Sequence, residues 1–462
     1  MAGGTIVTAE ASFRGDIAVA DGRITAVGAD LPRDGAEVLD VSGALLMPGF
    51  IDGHTHLDMP FGGTVTADDW DTGTAAALAG GTTTIVDFSL QDVEGTLAGA
   101  VEEWQRKAEK ARIDYGLHVA VTNLTEEVKA EIPTLPALGV STIKIFMAYK
   151  GTPLFTADED LFEALQIARE AGVLVLVHAE NGDVIAKLQA QALAQGDTAP
   201  RFHALTRPEA VEAEATNRAI RLAEVAESPL LVVHVSCAAA LDEVRRAHAR
   251  GQTVYAETCP QYLVFTYDDL AREGFEGAKY VLSPPLRDAS NWDPLWHGLQ
   301  TGDLQIVGSD HCSFNYAGQK ELGRDDFTLI PNGAPGLEER SAVLWTHGVR
   351  GGRISEQLFV AVLSTNQARV HGMAGRKGAL APGADADIVV WDPDRTVTVT
   401  QANRHGRVDY TPYEGMTFTG GPAAVYVRGA LAYRDGEVLA QPGSGRFVER
   451  AFRQPAPGPA VR

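Results

Sequence analysis

Eight short runs rich in Val, Ile and Leu, spaced along most of the chain, constrain its fold more than any other feature. They are LLMPGFIDGHTH (45–56), TTTIVDF (82–88), DYGLHVAV (114–121), TIKIFMA (142–148), VLVLVHAE (173–180), PLLVVHVS (229–236), TVYAETCP (253–260) and LQIVGSDH (304–311). Such continuous apolarity marks strands covered on both faces. Between them lie segments such as DEDLFEALQIAREAG and RPEAVEAEATNRAIRLAEVAE, whose apolar spacing suits helices lying with one face on a sheet. Eight buried strands alternating with helices predict an α/β chain with a (β/α)8 TIM-like barrel over residues 49–375.

The flanks read differently. Residues 1–48, with DIAVADGRITAVG, and residues 376–440, with PGADADIVVWDP and AAVYVRGALAYRDGEVL, carry short strands and Asp-Gly turn signals. They predict one small β-sandwich domain formed by both chain ends. The Pro-rich tail, 441–462, is expected to be poorly ordered unless it docks on a neighbouring subunit.

Composition narrows the function classes. A formal net charge of −22 with no basic cluster excludes nucleic acid and anionic membrane surfaces as expected partners. Three cysteines, Cys237, Cys259 and Cys312, are too few for a disulfide framework in 462 residues and point to a reducing compartment. The first residues lack the pattern of a secretory leader, and no stretch has about 20 uninterrupted apolar residues. A cytoplasmic protein is expected.

Several runs end in residues that ligate metals. His54 and His56 are two apart in GFIDGHTH, so on an extended strand their imidazoles share a face. His178, His234 and Asp310 close three further runs, and a parallel barrel gathers all these ends on its C-terminal rim. One histidine ending a strand is more often a satisfied core residue. Four histidines and an aspartate at the same end are hard to obtain from core packing. His118, His203, His248, His297, His347, His371 and His405 lie mid-strand or in helical and loop contexts and read as structural; His311 should point away from Asp310 and either supports the ligands from behind or is structural.

Lys144 is the anomaly, a cation inside TIKIFMA where an ammonium is costly to bury. Burial and neighbouring cations favour its neutral amine, and a neutral amine adds CO2. The resulting carbamate (N6-carboxylysine) offers one negative charge and two oxygens that can bridge two divalent ions. Asp310 alone would compensate two such ions poorly, so the charge balance favours the carbamate. Lys150 reads as a solvated loop lysine.

GFIDGHTH, KIFMAYKG, VHAENGD, VHVS, ETCPQYL, SPPLR, GSDHCSFN and IPNGAPGLEER together resemble the dihydropyrimidinase/hydantoinase branch of the cyclic amidohydrolases, over all but the tail. The resemblance implies a binuclear metal centre bridged by a carboxylated lysine, and a homotetramer or homodimer. By position it implies His54 and His56 as ligands of the more buried metal, His178 and His234 of the more exposed one, Lys144 as the bridge and Asp310 as the remaining ligand. It further implies that Tyr149 hydrogen-bonds the reacting carbonyl and that Ser283 and Asn332 hold the cyclic amide through backbone groups.

The reaction expected is hydrolytic ring opening of a cyclic ureide, dihydropyrimidine or hydantoin, by a hydroxide that the two metals share. Asp310 serves as base and then acid, and Tyr149 as an oxyanion donor. The metals are expected to be zinc, with manganese, cobalt and nickel also compatible with His and carboxylate ligands. Leu57 and Asp58 follow the His-x-His pair where dihydroorotases carry an arginine suited to a carboxylate, so orotate chemistry is not expected. Met59, Phe61, Leu154 and Phe155 are candidates for lining the pocket around a ring substituent. Two other classes compete: a cysteine hydrolase using Cys312, and a binding protein with a vestigial site.

Overall fold

The structure, a computed structural model, describes residues 1–452. Eight strands lie side by side in one all-parallel sheet that curls into a barrel: β1 (Phe50–Thr55), β2 (Thr82–Leu90), β3 (Asp114–Ala120), β4 (Thr142–Phe146), β5 (Leu174–His178), β6 (Leu230–Val232), β7 (Val254–Thr258) and β8 (Ile306–Val307). Helices connect them, as the alternating pattern predicts.

Alternation along the strands decides which side chains meet in the middle. Ile143 and Ile145 on β4, with Val175 and Val177 on β5, belong to the large apolar core outside the barrel. Leu174 and Leu176 belong to a separate inner cluster with Phe88, Ala120 and Leu231. Lys144 is in register with Leu176 on one side and Ala120 on the other, so its side chain shares the inner face.

No ladder joins β8 to β1, and the seam is closed by side chains and by one isolated bridge, Thr55 to His311. The buried guanidinium of Arg340 donates to Ile51 O at 2.9 Å and Val307 O at 2.8 Å, one carbonyl from each strand. Above it, Asp52 accepts from the Ser309 N–H at 3.1 Å, and the His56 N–H donates to His311 O at 2.8 Å. The seam strands carry His54 and Asp310 at their upper ends, so this closure also sets the spacing of those two residues.

A second eight-stranded sheet is built from both chain ends. Leu45–Pro48 sits at its centre, parallel to Gly4–Val7 and antiparallel to Ile388–Thr398. The first apolar run of the sequence is therefore two strands in two sheets, divided at Gly49. A Cβ at Gly49 would lie 2.1 Å from Thr83 Oγ1, so only glycine fits the crossing.

The expectation for the tail needs correction. Residues up to 452 dock on the chain's own barrel: the Val448 N–H donates to Tyr115 O at 2.7 Å, and the Tyr115 N–H to Arg446 O at 2.9 Å. Arg450 is buried beneath the barrel, donating to Leu117 O, to His371 O at 3.2 Å and to Thr142 Oγ1 at 2.9 Å. A guanidinium satisfies several carbonyls at once, and it outweighs the Pro-rich composition that follows. The segment RQPAPGPAVR (453–462) lies outside the described residues.

Candidate active site

His54, His56, Lys144, Tyr149, His178, His234, Ser283, Asp310 and Asn332 all line one cavity at the C-terminal rim of the barrel. They come from β1, β4, β5 and the segments just after β6 and β8, together with two loops. The histidines form a contiguous row. Ring centroids lie 5.3 Å apart for His56 and His54, 5.4 Å for His54 and His234, and 4.5 Å for His234 and His178. Asp310 Oδ1 is 3.2 Å from His54 Nε2 and 3.3 Å from His56 Nε2. Ligand atoms of His54, His56 and Asp310 all fall within 4.8 Å of one another.

Lys144 faces this row and is 1% exposed. Its Nζ stands 4.9 Å from the Phe88 ring centroid and 5.2 Å from that of Phe146, with no hydrogen-bond or ion-pair partner among the described residues. Burial pushes the amine down to about 8, against the pull of Asp310 and Glu257.

The protonation states suit cation binding. Burial lowers His56 to about 4 and holds His178 and His234 below the ordinary histidine value, leaving neutral imidazoles. Burial opposes ionisation of Asp310, yet the charge of His54 and the bonds from His54 and His56 keep its carboxyl well below the usual range. His54 goes the other way: burial would lower it, but Glu257 and Asp310 raise it to about 9. His56 Nδ1 and His234 Nδ1 are buried without a hydrogen-bond partner among the described residues. Three neutral imidazoles, the His54 ring, one carboxylate and an unpaired amine crowded together form a donor set that fits divalent metal ions once His54 gives up its proton.

Two carboxylates that sequence reasoning missed stand behind the histidines. Glu257 Oε1, at the end of β7, accepts from His54 Nδ1 at 2.6 Å, which turns Nε2 toward Asp310. It also accepts the His234 N–H at 3.2 Å. Glu180 Oε2 lies 2.7 Å from His178 Nε2. A signal for Glu180 was available, since it sits two residues after His178 in VHAE, the same spacing that pairs His54 with His56.

Tyr149, His234 and Asp310 all have left-handed backbone, with φ of 63°, 43° and 52°. Each such residue costs about 1–3 kcal/mol, and here they cluster at the cavity. Tyr149 and Asn332 line the same cavity, and burial raises the Tyr149 phenol so that it remains a proton donor. Its ring lies 5.6 Å from Phe61 and 5.4 Å from His178. Met59, Phe61 and Leu154 line the cavity, but Phe155 does not. Phe155 packs beneath Lys150, 4.1 Å from its Nζ, because the loop folds back in register with Phe146. Lys150 is exposed and pairs with Asp183 at 3.2 Å.

Cys312 is buried and its thiol is pushed well up by that burial, so it is no thiolate nucleophile. The ring of His311 pairs with Asp68 at 3.1 Å instead.

A barrel with metal-binding residues gathered on its C-terminal rim defines a metal-dependent hydrolase class, and residues 45–432 match the Amidohydrolase family. The chain belongs to that family, whose members hold a binuclear divalent metal centre. It is 49% identical to a D-hydantoinase of Geobacillus stearothermophilus over 97% of this chain and 95% of that one. It is 43% identical to a dihydropyrimidinase of Rattus norvegicus, covering 97% and 88%. The crystal structure of a dihydropyrimidinase from Brevibacillus agri superposes with a TM-score of 0.97 at 49% identity, covering 98% and 99%. Within the amidohydrolases the chain is thus a hydrolase of the D-hydantoinase/dihydropyrimidinase family. Among the described residues no helix is long and apolar enough to cross a membrane.

Proposed function

We propose that the chain opens cyclic ureides by hydrolysis. Dihydrouracil and dihydrothymine would give N-carbamoyl-β-amino acids, and 5-substituted hydantoins would give N-carbamoyl amino acids. The observation that carries this reading is the unpartnered amine of Lys144, buried beside Asp310 and four histidines. An apolar residue of that size would pack there at no electrostatic cost, so the amine is retained for chemistry. Its neutral form adds CO2 and releases a proton, which converts a buried neutral amine into a carbamate anion.

Two divalent ions, zinc in the first instance, would be held by His54 and His56, by His178 and His234, and by Asp310 and the Lys144 carbamate. When bound, they supply Lewis acidity and lower the pKa of water at the site. Asp310 accepts the proton of the attacking water and returns it to the leaving ring nitrogen. Tyr149 donates its phenolic proton in a hydrogen bond to the carbonyl oxygen as negative charge builds there. The main-chain N–H and C=O groups of Ser283 and Asn332 have no partner among the described residues, which leaves them free for the alternating donors and acceptors of a ureide edge. Met59, Phe61 and Leu154 would surround the ring substituent.

A homotetramer or homodimer in the cytoplasm completes the proposal; sedimentation tests the assembly. The function is tested by steady-state kinetics on dihydrouracil, dihydrothymine and hydantoins of each hand, with kcat/KM ratios reporting the pocket. Turnover of neither class by metal-replete enzyme would refute it.

A further inference from the structure

A lysine outside every motif singled out in the sequence stands behind Ser283 and Asn332. Lys320 opens a short turn, Lys320–Gly323, and is fully buried. Its Nζ donates to three main-chain carbonyls, Val281 O at 2.9 Å, Pro331 O at 2.7 Å and Gly333 O at 2.6 Å. It forms no ion pair among the described residues. The nearest aromatic face is Phe314, with its centroid 5.9 Å away. A buried cation with no counter-charge is costly, so its three partners need a reason.

Their positions supply one. Val281 precedes Ser283 by two residues, and Pro331 and Gly333 bracket Asn332. The neighbouring carbonyls are also tied back: Leu282 O bonds His203 Nε2 at 2.8 Å, and Pro284 O accepts from the Tyr262 hydroxyl at 2.7 Å. The Gly333 N–H donates to Val281 O at 3.0 Å and joins the two segments. Among the described residues, only Ser283 in 281–284 and only Asn332 in 331–333 keep a carbonyl without a partner. Both residues line the cavity.

We propose that Lys320 is a positioning residue for substrate. One ammonium fixes the separation and orientation of the two main-chain segments that read the amide edge, and it touches neither substrate nor metal ligands. This rests on the reading of Ser283 and Asn332 as substrate-binding.

The charge state of the clamp follows from its surroundings. Burial pushes the Lys320 amine down to about 7, opposed by the Cys312 thiol. The titratable groups facing it are Cys312, pushed well up, and His203, held well down, so both are uncharged near neutrality. Below about pH 7 the ammonium has three N–H donors. Above it the neutral amine has two, and its lone pair faces a carbonyl oxygen, so the clamp loosens as pH rises.

The test is Lys320→Met in the full-length, metal-loaded enzyme, assayed with dihydrouracil and hydantoin. KM should rise about tenfold or more with kcat within about threefold, because the loss is of uniform binding. Metal content should match wild type. In wild type, KM should climb between pH 6 and 8.5, and in the variant that climb should vanish. An active wild type with a variant KM within twofold, or a fall in kcat accompanied by lost metal, overturns the role of Lys320 and leaves the site reading standing. Wild type inactive on both substrates overturns the site reading itself. If Lys320→Met does not fold, Lys320→Gln, with two N–H donors for the three carbonyls, takes its place: a raised KM with kcat and metal kept supports the proposal, and a KM within twofold of wild type overturns it.

Discussion

Replacing Glu257 by glutamine isolates what a carboxylate behind a metal-binding histidine contributes. The side chain keeps its shape, so the His54 Nδ1 contact at 2.6 Å and the His234 N–H contact at 3.2 Å can both survive. What is lost is the charge that makes His54 Nε2 a strong donor. Removing such a partner weakens metal binding by about 10–100-fold, or about 1.4–2.8 kcal/mol. Protons complicate the reading in a defined direction. With His54 raised to about 9, a proton competes with the metal at pH 7 by about a hundredfold in wild type. Glu257→Gln lowers that pKa and relieves part of the competition, so the defect should be largest near pH 9 and smaller at pH 7. Competition against a chromophoric chelator, on protein stripped of metal and titrated with zinc from pH 6.5 to 9.5, measures both quantities. Equal affinities at pH 9, or the same slope of affinity with pH in both proteins, would refute the role assigned to Glu257.

Three further outcomes are expected. Lys144→Ala should abolish turnover, and short carboxylic acids should restore part of it by supplying the missing anion; loss of stability with metal binding intact would count against the bridge. Tyr149→Phe should cut kcat by about 10²–10³ at unchanged metal content, and near-normal turnover would remove Tyr149 from the oxyanion role. Arg340→Met removes the cation 3.3 Å from buried Asp52 and the guanidinium bonds to Ile51 O and Val307 O, of which Val307 O keeps the Gln367 side chain at 3.0 Å. Denaturant titration should show a loss of about 3–5 kcal/mol, and a loss below 1 kcal/mol would mean that the seam closes without it.

What could be read from the chain divides along a physical line. Residues whose place follows from strand parity were legible: Lys144 and His178 point inward because their apolar neighbours point outward. Contacts that exist only after the barrel closes were not. Glu257 meets His54 across 203 residues, and nothing in VYAET distinguishes it from an ordinary strand end. The break at Gly49 was hidden because both halves of LLMPGFIDGHTH are apolar, although they enter different sheets. Arg450 was hidden by the proline-rich residues that follow it, and Lys320 because its partners are backbone carbonyls that no side-chain pattern marks. Phe155 shows the limit of proximity in sequence: it adjoins Leu154, yet only Leu154 reaches the cavity.

The central claim is that a binuclear centre on this barrel opens cyclic ureides, and one paired measurement tests it most directly. Protein purified without chelators is analysed for metal and assayed on dihydrouracil and hydantoin in the same preparation. The account predicts two divalent ions per chain and hydrolysis of at least one of the two rings. Less than one ion per chain with both rings left intact would contradict it.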